Sequence, residues 1–177
     1  MTPEGLITGR VYIAQGEQAL GRDDAAVIHT ILGSCVAACL RDPVLRIGGM
    51  NHILLPDHAG SPIGMQSAGA GAMERLINAL MKAGADRQRL EAKLFGGAAI
   101  VRGLTDVGQR NTAFALSYLE NEGIPCVAQS IGGRSARQIK FWPASGRVRQ
   151  RLVQDSDLKE SVPTVADAPP GSDLELL

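Results

Sequence analysis

The residues of this chain best suited to chemistry are a thiol and an imidazole. Cys35 ends the stretch Thr30-Ile31-Leu32-Gly33-Ser34-Cys35, and His52 ends Gly48-Gly49-Met50-Asn51-His52. Each follows glycine within an apolar run, and each leads into another, Val36-Ala37-Ala38 and Ile53-Leu54-Leu55. Between them Arg41-Asp42-Pro43 signals a turn, because proline presets φ and an Asp side chain bonds its own backbone. Two strands joined there would lie side by side and bring Cys35 and His52 together. A Cys with a His available elsewhere in an intracellular chain is a candidate nucleophile and base. An unperturbed thiol is only slightly ionised near neutral pH, so an imidazole that takes its proton raises its reactivity.

The neighbours of Cys35 extend the pattern. Gly33 permits a backbone in which N–H groups converge as an oxyanion hole, and Ser34 adds a donor. A working base is held by a third group, and the Thr30 hydroxyl, five residues before Cys35, is the candidate. Bland alternatives stay open at this level: free Cys is among the most buried residue types, and a lone strand His is often a satisfied structural residue. His29 and His58 carry no comparable signal. Cys35, Cys39, Cys126 and His52 could in principle bind zinc, but no Cys-x2-Cys knuckle occurs and Cys39 lies in an apolar strand, so no metal is expected.

The elements that must position these groups follow from periodicity. Strands are predicted over 6–14, 26–32, 36–40, 46–55, 91–95 and 124–128. A closing hairpin, Ile139–Phe141 and Val148–Leu152, turns around Pro143-Ala144-Ser145-Gly146. Ser130–Arg134 reads as a turn and 56–62 as a loop. Apolar spacing of three and four residues predicts one helix over 68–83, stopped by Gly84, and a second from an Asp106 cap to Gly123. Strands outnumber helices, which gives an α+β layered domain.

At 177 residues the chain fits one domain, 1–154, with an acidic tail over 155–177 that is expected to be disordered. That tail holds six acids and one base, a charge of −5, so the body carries +5. Between Gly123 and Gln154 there are six bases and no acid. Arg134 and Arg137 in this stretch are the candidates for docking an acidic partner. Few aromatics accompany them, which argues against nucleic acid. No apolar run is long enough for a membrane span, no signal peptide is visible, and three unpaired cysteines suit a reducing cytoplasm.

Several blocks, taken together and in order, resemble the CheD family, the chemoreceptor glutamine deamidases of bacterial and archaeal chemotaxis. They are Leu32-Gly33-Ser34-Cys35-Val36-Ala37, Arg41-Asp42-Pro43, Gly48–His52 with Leu54-Leu55-Pro56, Lys93-Leu94-Phe95-Gly96-Gly97-Ala98, Gly108-Gln109-Arg110-Asn111, Gly123-Ile124-Pro125 and Ile131-Gly132-Gly133. The resemblance spans roughly residues 8–148. It implies a layered α/β/β sandwich similar to the catalytic domain of cytotoxic necrotizing factor. It also implies Cys35 as nucleophile, His52 as base and Thr30 as their partner, acting through a thioester on selected receptor glutamines without a cofactor. The implied partners are the cytoplasmic domain of methyl-accepting receptors and, in some members, a CheC-type phosphatase. Two alternatives go with it: a receptor glutamyl methylesterase, or a non-catalytic partner of that phosphatase. One departure stands out, because small residues fill Ser67–Gly71 where the family leads one to expect an aromatic.

Overall fold

The structure, a computed structural model, describes residues 5–55, 62–100, 105–153 and 173–176. In chain order it contains β1 (Leu6–Ile7), β2 (Arg10–Tyr12), β3 (Gln18–Gly21), β4 (Val27–Leu32), β5 (Val36–Asp42), β6 (Ile47–Asn51), α1 (Pro62–Lys82), β7 (Glu91–Gly96), α2 (Thr105–Asn121), β8 (Cys126–Ile131), β9 (Arg137–Phe141), β10 (Val148–Leu152) and β11 (Asp173–Leu176). A short 3-10 turn, Arg87–Arg89, precedes β7.

The strands form two sheets, one in the order β1-β3-β6-β5-β7-β8 and one in the order β11-β10-β9-β4-β2. The pleat of β5 sorts the layers, since successive side chains point to opposite faces. Val36, Ala38 and Leu40 pack with Leu76 and Leu80 of α1 and Leu119 of α2. Ala37 and Cys39 pack the other way, against Ile28 and Leu32 of β4 and Phe141 of β9. Two apolar cores thus separate three layers (helices, first sheet, second sheet), the expected α/β/β sandwich. Each fully buried Leu or Ile in these cores contributes about 2 kcal/mol by area removed from water. Among the described residues no helix is long and apolar enough to cross a membrane.

The Asp42-Pro43 turn joins β5 to β6, which pair antiparallel with Cys39 opposite Met50 and Asp42 opposite Ile47. Asp42 is fully buried, and its carboxylate accepts from the backbone N–H groups of Val44, Leu45 and Asp86. The Arg89 guanidinium meets both its oxygens at 2.8 to 3.2 Å. That guanidinium, with the backbone donors, holds the Asp42 carboxyl well below the usual carboxylate range.

Several expectations need amendment, the first being the single strand over 6–14, which is two strands, β1 and β2, in different sheets. Strand β3 has no β-branched residue to announce it and exists because it is paired on both sides, by β1 and β6. Helix α1 begins six residues earlier than its periodicity suggested, at Pro62, whose fixed φ suits a first helical position. The small residues expected to precede it therefore lie inside it. A Cβ at Gly69 would come within 2.6 Å of the Phe114 ring, so the glycine admits an aromatic from α2. Strand β8 runs on through Ser130 to Ile131, where a turn was expected. Most of the 155–177 tail, like residues 56–61 of the expected 56–62 loop, lies outside the described residues. Asp173–Leu176, within that span, is strand and continues the ladder of β10 in antiparallel register.

Candidate active site

The hairpin of β5 and β6 fixes where the thiol and the imidazole stand. Beyond Asn51 the ladder is interrupted: the Ala38 N–H bonds to the Asn51 side-chain oxygen at 2.9 Å. Pairing resumes at an isolated bridge, where Val36 and Ile53 exchange hydrogen bonds of 3.0 and 2.7 Å. Cys35 and His52 are the residues immediately before the two members of that bridge. In antiparallel register they are diagonal neighbours on the same face, opposite to that of Val36 and Ile53. That face looks toward the second sheet, where Cys35 packs against the inter-sheet core.

From the second sheet Thr30 closes the arrangement. It lies on the inner face of β4 between Ile28 and Leu32, fully buried, and its Oγ1 is 2.8 Å from His52 Nδ1. The same hydroxyl donates to the carbonyl of Ile13 at 2.7 Å. A hydroxyl has one proton, so toward His52 it can only accept. His52 Nδ1 therefore carries the ring proton, and Nε2 keeps its lone pair for a thiol. The His52 backbone is held as well, by Glu17 O at 3.2 Å and Gly16 N at 2.9 Å.

The electrostatics favour a neutral resting pair. Burial pushes the Cys35 thiol up to about 11 and pulls the His52 imidazole down to about 4. Desolvation disfavours both charged forms, so the free protein holds S–H and neutral imidazole rather than a preformed ion pair.

The loop before β5 supplies donors. Gly33 O accepts from Ala98 N at 3.0 Å and Cys35 O from Gly97 N at 2.8 Å. Among the described residues the N–H groups of Ser34 and Cys35 have no hydrogen-bond partner. Gly33 is not in the left-handed region. Its lack of a side chain makes room for Ile100, whose Cδ1 would be 2.8 Å from a Cβ there. Gly96 is different: its φ is 110° and a Cβ would fall 2.1 Å from Cys35 O, so only glycine fits beside the thiol loop.

Asn111 of α2 is a polar residue that composition and spacing gave no reason to single out. It is buried, accepts from Leu55 N at 3.1 Å and donates to Ser34 O at 2.8 Å, bonds that reach 56 and 77 residues along the chain. Of the proposed docking residues, Arg134 is exposed. Arg137 is not available to a partner: it is 4% exposed and its guanidinium binds the carbonyls of Ser130 and Gly132. It braces the β8–β9 turn. Cys39 is buried between the sheets and Cys126 exposed on β8.

Comparison with known proteins adds a family. A model described as CheD chemotactic sensory transduction matches residues 54–152. The chain is 53% identical over 173 residues to a protein of Caulobacter sp. (strain K31) named probable chemoreceptor glutamine deamidase CheD, covering 94% of this chain and 92% of the other. A protein of Rhizobium leguminosarum bv. trifolii (strain WSM2304) with the same name is 53% identical over 156 residues, covering 86% and 85%. Among solved structures, a Neisseria meningitidis protein of the family DUF152 is similar with a TM-score of 0.45 and 11% identity, covering 71% of this chain and 64% of the other.

Proposed function

The chain belongs to the CheD family, and from that premise we propose that it deamidates glutamines on the cytoplasmic domain of chemotaxis receptors, with Cys35 as nucleophile, His52 as acid and base, and Thr30 orienting His52. The observation that carries the assignment is the Thr30–His52 bond, which leaves Nε2 as the basic nitrogen on the face shared with Cys35.

The cycle balances with water alone. His52 Nε2 takes the Cys35 proton as sulfur bonds to the side-chain amide carbon of the glutamine. The amide oxygen becomes an oxyanion, and the N–H groups of Ser34 and Cys35 stabilise it. His52 returns the proton to the amide nitrogen, the C–N bond breaks, ammonia leaves, and a thioester remains. A water molecule then loses its proton to His52 and attacks the thioester carbon. The C–S bond breaks, glutamate is released, and the thiol recovers its proton.

The partner is a receptor's cytoplasmic helical domain, and control by a CheC-type phosphatase belongs to the same reading. The test is to offer matched receptor fragments bearing glutamine or glutamyl methyl ester and to measure ammonia and methanol. Ammonia release in clear excess is expected. Methanol release without ammonia would replace the deamidase by an esterase, and neither product would make the protein a binding module.

A further inference from the structure

Three successive peptide units pass through the thiol loop, and each has its carbonyl held. Gly33 O takes Ala98 N, Ser34 O takes the Asn111 side chain, and Cys35 O takes Gly97 N. They differ in their N–H groups. That of Val36 is spent on Ile53, whereas those of Ser34 and Cys35 are unpartnered among the described residues. A trans peptide is planar, with C=O and N–H pointing opposite ways. Whatever holds the carbonyl of such a unit therefore aims its N–H.

We propose that Asn111 is a positioning residue: its amide pulls the Ser34 carbonyl toward α2 and so presents the Cys35 N–H to the oxyanion formed on the substrate amide. This rests on the deamidase reading above. The side chain is suited to the task. It is 2% exposed, its Nδ2 donates to Ser34 O at 2.8 Å, and its Oδ1 accepts from Leu55 N at 3.1 Å. Ser34 directly precedes Cys35, and Leu55 lies three residues after His52, so one amide ties the thiol segment to the imidazole segment. Helix α2 is brought close enough by Gly108, three residues earlier on the same helical face. A Cβ there would lie 2.4 Å from Gly97 O, so α2 rests directly on the loop that also binds Cys35 O.

The two bonds separate by substitution. Asn111→Asp keeps an acceptor for Leu55 N but, when ionised, offers no donor to Ser34 O. Asn111→Leu loses both. With a receptor fragment as substrate at about pH 9, Asn111→Asp is expected to lower kcat about 100-fold with KM nearly unchanged, the scale for removing an oxyanion donor. Iodoacetamide alkylation of Cys35, a displacement that forms no oxyanion, should stay within about twofold of wild type in that variant. Burial raises the pKa of a carboxyl at this position, so lowering the pH to about 5 protonates a larger share of it and restores a donor, and the ratio of variant to wild-type kcat should rise. Asn111→Leu should lose kcat at both pH values and show no such rise. Wild-type kcat in both variants would overturn the proposal. So would a loss in Asn111→Asp that is independent of pH and matched by an equal loss of alkylation, the pattern of general disorder. If wild-type protein itself released no ammonia, the deamidase reading would fail first, which keeps the two failures apart.

Discussion

The Thr30 hydroxyl stands between two partners, the Ile13 carbonyl at 2.7 Å and His52 Nδ1 at 2.8 Å. The second of these bonds crosses from one sheet to the other at the edge of the apolar core between them. It converts an ordinary inward-facing position of β4 into the group that fixes a tautomer. Thr30→Val, close to isosteric, should lower kcat for ammonia release about 10- to 100-fold, the scale for losing a group that orients a functional histidine, and less than the roughly 100- to 10,000-fold carried by a general acid or base itself. Thr30→Ser, which restores the hydroxyl, should recover most of it. A valine variant with wild-type kcat would show that the ring is held by other means.

The buried pair also sets the pH profile. His52 must be neutral to accept the thiol proton, and burial lowers its pKa to about 4 while raising that of Cys35 to about 11. The competent form, neutral imidazole with S–H, therefore predominates between those values. Activity per unit KM should be flat from about pH 5 to about pH 10 and fall on the acid side near 4. An acid limb near the ordinary imidazole pKa, measured as kcat/KM against pH, would contradict the burial argument.

At the other end of the β5–β6 hairpin, Asp42→Asn should destabilise the fold by about 2 kcal/mol, because buried backbone donors and a guanidinium lose a charged acceptor. The pKa of Asp42 is depressed in the folded chain, so its contribution is present above the ordinary carboxylate pKa and is lost as pH falls below it. Denaturant unfolding at neutral and acid pH measures both effects. Equal stability of wild type and variant at neutral pH would refute the role.

The β5–β6 hairpin was legible because its signals are local, an Asp-Pro turn between apolar runs broken by glycine, and Thr30, singled out for a hydroxyl five residues before Cys35, lies 2.8 Å from His52 Nδ1. Strand β3 was not legible, since Gln18-Ala19-Leu20-Gly21 becomes strand through its neighbours and not through its own propensity. Asn111 escaped for a related reason, as its two partners lie far away in the chain. Arg137 misled because a sequence displays charge but not burial, and the fold spends that charge on loop carbonyls.

Docking on an acidic receptor surface should accordingly depend on other bases. Lys140 of β9 stands opposite Arg149 of β10, a like-charged pair suited to an acidic partner. Arg134→Glu combined with Lys140→Glu should raise KM for a receptor fragment several-fold at low salt, with little change in kcat and less effect at high salt. Arg137→Glu should instead lower the melting temperature. An unchanged KM in the double variant would move the docking surface elsewhere.

The whole account turns on sulfur attacking a side-chain amide, and intact-mass analysis of a receptor cytoplasmic fragment measures that step. Incubation with the wild-type protein should add one dalton for each glutamine converted, and Cys35→Ala should add none while remaining folded. Conversion by the alanine variant at the wild-type rate would remove Cys35 from the chemistry and the mechanism with it.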